Sequence, residues 1–109
     1  MYKMNASVES ELNRYIDAIS ILDGVKRIYL FGSYVNGEPH ESSDLDLFVV
    51  ISDDKDRFKV AYNIHKKLSN REVPLDVIVD HESTFEDRAG RVTLQNAVKA
   101  EGVLLYDKH

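Results

Sequence analysis

The sequence predicts an α+β fold in which a small mixed β-sheet is covered by helices in two layers. Two segments, 8–22 and 58–68, carry apolar residues at the three- and four-residue spacing of amphipathic helices. Several shorter segments are rich in β-branched and aromatic residues, as strands are. A length of 109 residues is typical of one domain with one hydrophobic core. We therefore expect residues 1–109 to form a single domain.

The first half of the chain contains one helix and two strands. The apolar stripe of 8–22 predicts an amphipathic helix that Asp23-Gly24 ends. Val25 to Phe31 reads as a strand that stops at Gly32-Ser33. A polar segment, 38–43, then predicts a loop before the apolar strand Leu45 to Ile51. We expect ligands to enter at this loop.

The second half repeats the alternation of helices and strands. A second helix is indicated by apolar spacing, and we expect its aromatic residues and its histidine to pack in the core; these residues are Phe58, Tyr62 and His65. Val73 to Val79 predicts a third strand. Residues 83–100 permit a helix, and Val103 to Tyr106 predicts a last short strand. The predicted order is α-β-β-α-β-α-β, which leaves the order of strands in the sheet open.

Composition argues against several classes of function. The net charge of −5 is unfavourable for an extended nucleic-acid surface, which needs many Lys and Arg to neutralise phosphates. The absence of Cys excludes thiolate chemistry, disulfides and Cys-based zinc sites. No apolar run is long enough for a membrane span or a signal peptide. We therefore expect a cytoplasmic protein.

Two acids at the start of the second predicted strand are the strongest chemical signal. Side chains alternate between the faces of a strand, so Asp44 and Asp46 project to the same side. A third acid, Asp76, interrupts the apolar strand Leu75 to Val79 and joins the pair if the two strands are neighbours. The alternative to a catalytic role is that Asp44 and Asp46 are ordinary solvated acids at the start of a strand.

Three neighbouring carboxylates repel one another, and a divalent cation relieves that repulsion. At about 5 Å, each pair costs roughly 3 kcal/mol at an effective dielectric constant near 20. Oxygen ligands favour Mg²⁺ or Mn²⁺ over zinc, and two such ions stabilise the attacking and leaving oxygens of a phosphoryl transfer. The acids Asp44, Asp46 and Asp76 therefore predict a two-magnesium site.

The Gly32-Ser33 turn supplies the second part of this predicted site. Glycine permits a tight turn that lets backbone N–H groups approach a phosphate, and serine adds a hydroxyl donor. We expect this turn to bind the phosphates of a nucleoside triphosphate. Ser33 alone is equally explained as a helix cap, which is a common role for serine.

Taken together, the Gly32-Ser33 turn, ten intervening residues and Asp44-Leu45-Asp46 resemble the signature of the DNA polymerase β-like nucleotidyltransferase superfamily. The whole chain is similar to the minimal members of that superfamily. The resemblance implies that Ser33 binds phosphate, that Asp44, Asp46 and Asp76 bind Mg²⁺, and that a nucleoside monophosphate is transferred.

The minimal nucleotidyltransferases include antitoxins encoded beside HEPN-domain toxin ribonucleases, some of which transfer AMP from ATP to a toxin tyrosine. The resemblance therefore implies ATP as substrate and a HEPN-domain protein as partner. Two alternatives stay open: an antitoxin that neutralises its partner by occlusion without catalysis, and a transferase for a small molecule. The sequence does not identify the base, the acceptor or the oligomeric state. His40, in the predicted loop, is within reach of a nucleotide or a partner in one interpretation, but an isolated loop histidine is more often solvated, so it is not among the predicted site residues.

Overall fold

The computed structural model describes residues 4–37 and 43–108, which form a four-stranded sheet with helices on both faces. In chain order the elements are α1 (Ala6–Ser20), β1 (Val25–Phe31), α2 (Ser33–Asn36), β2 (Leu45–Ile51), α3 (Arg57–Lys67), β3 (Leu75–His81), α4 (Glu82–Ala89), α5 (Leu94–Glu101) and β4 (Val103–Asp107). Within the described ranges, no helix is long and apolar enough to span a membrane.

The sheet is mixed, as predicted. Its strand order is β3-β2-β1-β4, with β1 antiparallel to both β2 and β4. Strands β2 and β3 run parallel, and α3 provides the crossover between them. Parallel pairing aligns the first residues of β2 and β3 at the same end of the sheet. The α+β prediction is therefore confirmed, and the acids of β2 and β3 become neighbours.

Each face of the sheet packs against a different pair of helices. On one face, alternate residues of β2 such as Leu45, Leu47 and Val49 join a core with the inner sides of α1 and α3. On the opposite face, Phe48 and Val50 join a smaller cluster with residues of α4 and α5. Because Asp46 lies two residues before Phe48, it belongs to the second face. The acids are thus on the α4–α5 side of the sheet.

Helix α3, the second helix of the sequence prediction, buries different side chains from those predicted. Val60 and Ile64 are buried, whereas Phe58 is 74% exposed and Tyr62 is 65% exposed. His65 is also exposed, so the prediction that these three residues pack in the core was wrong. The cause is that α3 carries two apolar lines, and helical spacing alone does not tell which one faces the sheet.

The segment 83–100, which the sequence predicts as one helix, contains two helices in the structure. Helix α4 ends at Ala89 before Gly90, and a new helix starts after Thr93, whose side chain accepts a hydrogen bond from the backbone N–H of Asn96 at 3.2 Å. Thr93 is therefore an N-cap, which satisfies a donor that the first turn of α5 leaves unpaired. This break explains the weak periodicity of 83–100.

Candidate active site

The turn after β1 is shaped by a glycine that contacts an acid. Gly32 has a φ of 83°, in the region that only glycine adopts readily. A Cβ atom at this position would overlap the Oδ2 atom of Asp46. The absence of a side chain therefore lets the Asp46 carboxylate lie directly against the turn. The structure brings these two predicted site residues into contact.

Ser33 opens the short helix α2 immediately after Gly32. The backbone N–H of Val35 donates to the Gly32 carbonyl at 3.0 Å, and the N–H of Gly37 donates to the Ser33 carbonyl at 3.0 Å. These bonds fix the turn, and Ser33 is partly exposed within it. The serine hydroxyl is thus held beside the residue that touches Asp46.

Two of the predicted acids are direct neighbours across the sheet. In the parallel register of β2 and β3, Asp46 pairs with Asp76. On its other side, Asp46 pairs with Phe31, the last residue of β1 before the turn. Asp44 is exposed and lies just before β2, two residues from Asp46. The acids and the Gly32-Ser33 turn therefore meet at one end of the sheet.

The electrostatics of Asp46 reflect this crowding. The pKa of Asp46 is raised from 3.8 to about 6, first by burial of the carboxyl group and then by the nearby negative charges of Asp76 and Asp44. A bound cation stabilises the ionised form of an acid that is desolvated beside like charges, because its positive charge offsets their repulsion. Perturbed acids of this kind cluster at functional sites, although structural networks also produce them.

The site fits a magnesium ion by its chemistry and by its strand register. Among residues 4–37 and 43–108, no three His, Asp or Glu side chains lie close enough to form a complete metal site. Magnesium does not require such a cage, because it usually binds one or two carboxylates together with water and substrate phosphates. Asp46 and Asp76 would supply those carboxylates, and the Gly32-Ser33 turn lies beside Asp46, where phosphates would complete the coordination.

A network that the sequence did not reveal holds the start of β3. The Tyr15 hydroxyl donates to the Val73 carbonyl at 2.5 Å and accepts from the Val73 N–H at 3.2 Å. Glu11 accepts from the Glu72 N–H at 2.9 Å. Helix α1 therefore fixes the segment that leads to Asp76. Tyr15 lies on the apolar stripe of 8–22 like the core residues around it, so no sequence signal distinguished this contact.

His40, in the predicted loop, lies outside the described residues. Two acids near the opposite ends of β2 and β3 make structural contacts. Asp53 accepts a hydrogen bond from the Ser83 N–H at 3.0 Å, which gives this acid a structural role at the start of α4. Asp80 is buried and accepts from the Gln95 side chain at 3.0 Å, so it links β3 to α5.

The chain belongs to the nucleotidyltransferase domain family, whose profile matches residues 12–104. A protein of Methanocaldococcus jannaschii, named "Putative protein adenylyltransferase", is 36% identical over 62 residues, which cover 54% of this chain and 67% of that protein. Family membership establishes this chain as a nucleotidyltransferase, the class that its fold and its predicted site indicate.

Two solved structures share the fold. A "putative nucleotidyltransferase" of Sulfolobus solfataricus superposes with a TM-score of 0.62 at 22% identity, covering 99% of this chain and 93% of its own. A chain of a toxin–antitoxin structure with AMP-PNP has a TM-score of 0.50 at 20% identity, covering 93% of this chain and 74% of its own. At these identities the comparison confirms the mixed-sheet architecture.

Proposed function

We propose that this chain transfers AMP from ATP to a hydroxyl group of a protein partner and releases pyrophosphate. The observation that carries the proposal is the meeting of Asp46, Asp76 and the Gly32-Ser33 turn at one end of the sheet. The likeness to a protein named as an adenylyltransferase supports AMP and a protein acceptor. A HEPN-domain toxin is the proposed partner, and modification of its tyrosine is the proposed antitoxin function.

Each site residue has a separate proposed role. Ser33 and the backbone of Gly32 would bind the β- and γ-phosphates that leave as pyrophosphate. Asp46 and Asp76 would hold Mg²⁺, which supplies Lewis-acid stabilisation of the phosphate oxygens when bound. Asp44, which is exposed just before β2, would join them as the third carboxylate when the ion binds. Asp76 would also accept the proton of the attacking hydroxyl.

The proposed reaction is a single in-line displacement at the α-phosphorus. The acceptor oxygen forms a bond to this phosphorus while the bond to the bridging oxygen of pyrophosphate breaks. The proton of the acceptor hydroxyl passes to Asp76, and the negative charge goes to the departing pyrophosphate. Holding these groups in line is the contribution of the turn and the strand pair.

Binding of nucleotides is the first test. Isothermal titration of the chain with ATP, GTP, CTP and UTP, each with Mg²⁺ and with excess chelator, should show magnesium-dependent binding of ATP. The Asp46→Asn variant should lose this binding, whereas Asp54→Asn, a charge-matched change in the exposed 52–56 turn, should retain it. Equal ATP affinity in wild type and Asp46→Asn would contradict the proposed site.

Transfer is tested with ATP that carries a radioactive α-phosphate. Label should appear on a HEPN-domain partner with the wild type and disappear with Asp44→Asn or Asp46→Asn. The alternative function is neutralisation by occlusion alone, in which Asp44→Asn still suppresses the partner's toxicity in cells. The third candidate function is transfer of AMP to a small molecule. It would be identified by label that appears on a soluble hydroxyl compound and not on any protein.

A further inference from the structure

The outer face of α3 presents two large aromatic side chains to solvent. Phe58 is 74% exposed and Tyr62 is 65% exposed. They are four residues apart in one helix, so their side chains lie next to each other on its surface. Neighbouring exposed aromatics are unfavourable in a free monomer and are typical of protein interaction sites.

The same helix concentrates positive charge in an acidic protein. Residues 57–71 contain no Asp or Glu, whereas the rest of the chain contains all nineteen acids and nine of the fourteen Lys and Arg. The five cations of this segment are Arg57, Lys59, Lys66, Lys67 and Arg71. Within the described ranges, none of the five forms an ion pair. Their charges are therefore free to attract an acidic partner.

A small cleft continues this surface toward the end of α1. It has a volume of 210 Å³ and is lined by Leu22, Asp23, Lys55, Asp56, Lys59, Val60 and Asn63. Ligand pockets for small molecules are larger, at roughly 300–1,000 Å³, so this cleft suits a single anchoring side chain. Lys59 lines the cleft and also carries one of the unpaired charges of α3.

We propose that the outer face of α3, formed by Arg57, Phe58, Lys59, Tyr62 and Lys66, docks an amphipathic helix of a protein partner whose apolar stripe is flanked by Asp and Glu. The aromatic pair would receive the stripe, and the lysines would pair with the flanking carboxylates. An acidic helix fits better than a nucleic acid, because Lys59 and Lys66 give only a few charges on one helix, whereas an extended nucleic-acid surface needs many cations and this chain has a net charge of −5.

This docking surface lies away from the proposed nucleotide site. Helix α3 packs with Leu45 and Leu47 on one face of the sheet, whereas Asp46 lies on the face of Phe48. A partner held on α3 would therefore leave the acids open. The inference does not depend on the transfer chemistry, and variants of the two regions can be tested separately.

The test measures binding of three labelled probes to the full chain by fluorescence anisotropy. The first probe is a synthetic helix of about 18 residues, five turns, with a Leu stripe flanked by Glu. The second has Lys in place of every Glu, and the third is a single-stranded oligouridine. The Glu peptide should bind most tightly, and the Phe58→Ala, Tyr62→Ala double variant should weaken it at least about tenfold.

Controls separate the surface from folding and from the nucleotide site. Val92, which is fully exposed elsewhere, provides the matched apolar control, so Val92→Ala should bind the Glu peptide like the wild type. Asp46→Asn should also bind it unchanged. The charge variant Lys59→Glu, Lys66→Glu should lose binding while its circular dichroism spectrum is preserved.

Three outcomes would overturn the proposal. One is that the Glu peptide fails to bind at about 1 mM. Another is that oligouridine binds more tightly and loses affinity in the same α3 variants, which would make the face a nucleic-acid surface. The third is that sedimentation velocity shows a dimer of the wild type that Phe58→Ala, Tyr62→Ala dissociates, which would make the occupant a second copy of this chain.

Discussion

Replacement of Asp46 by Asn should stabilise the free protein at neutral pH while it removes nucleotide binding. The folded chain raises the pKa of Asp46 from 3.8 to about 6, so ionising this carboxyl costs more in the folded than in the unfolded state. Asn has nearly the same shape and no charge to desolvate. The variant thus mimics the protonated acid that the fold prefers.

The magnitude follows from the shift in pKa. One pKa unit corresponds to about 1.4 kcal/mol, so the shift sets an upper limit of about 3 kcal/mol. Asp46 is partly exposed, and solvent screening reduces the expected gain to about 1–2 kcal/mol. For a chain of this size, that gain raises Tm by roughly 5–10 °C.

The pH dependence gives the decisive signature. Below pH 3.8 Asp46 is protonated in both the folded and unfolded states, so it contributes no difference in stability between wild type and variant. As pH rises through 3.8 toward 6, the wild type loses stability relative to the variant, and the difference then stays constant. Differential scanning calorimetry without divalent cations at several pH values measures this difference.

The control is Asp54→Asn, which removes an exposed charge and should change stability by less than about 0.5 kcal/mol at any of these pH values. The reasoning would be refuted if Asp46→Asn destabilised the protein at pH 7, or if it raised Tm equally at pH 4 and pH 7. Either result would mean that the fold does not disfavour the ionised form of Asp46, which is the property that we expect a bound cation to offset.

Three further variants test the support of the site and the core. Gly32→Ala should lower the affinity for ATP and should lose about 1–3 kcal/mol of stability in chemical denaturation. The reason is that a φ of 83° is strained for alanine and that the new Cβ atom would overlap Asp46. An unchanged affinity for ATP would show that the contact between residue 32 and Asp46 is dispensable. Glu11→Gln should lose about 2 kcal/mol at pH 7, because hydrogen bonds from Arg14 and from the Glu72 backbone lower the pKa of Glu11 from 4.5 to about 2. This stabilisation is present above pH 4.5 and disappears as pH falls toward 2, so urea titrations that show the same loss at pH 2 and pH 7 would contradict it. Phe85→Ala should cost about 3–5 kcal/mol in the same assay, because Phe85 is fully buried and stacks with its ring centroid 5.4 Å from that of Tyr29; a cost below about 1 kcal/mol would show that the smaller core cluster is not essential.

The sequence predicted which residues meet at the proposed site better than it predicted the contacts around them. Gly32-Ser33 and Asp44-Leu45-Asp46 are local patterns, because turn formation and strand alternation act over a few residues. The same local rules located all four strands. They did not predict the contact of Tyr15 with Val73, since that hydrogen bond joins residues 58 positions apart in the chain.

The buried face of helix α3 is the clearest example of a feature that the sequence did not predict. Its spacing was compatible with burying either Val60 and Ile64 or Phe58 and Tyr62. The crossover from β2 to β3 decided in favour of Val60 and Ile64, which left the aromatic pair in solvent. The proposed docking surface therefore became visible only in the tertiary structure.

The sequence by itself determined the residue types of the proposed site, the mixed helix and strand content and the family resemblance, because these depend on local backbone geometry and on the chemistry of single side chains. Only the tertiary structure decided that Asp76 pairs with Asp46 and that Asp46 lies against Gly32. Strand order and register depend on how distant apolar faces pack together, and a linear pattern does not contain that information.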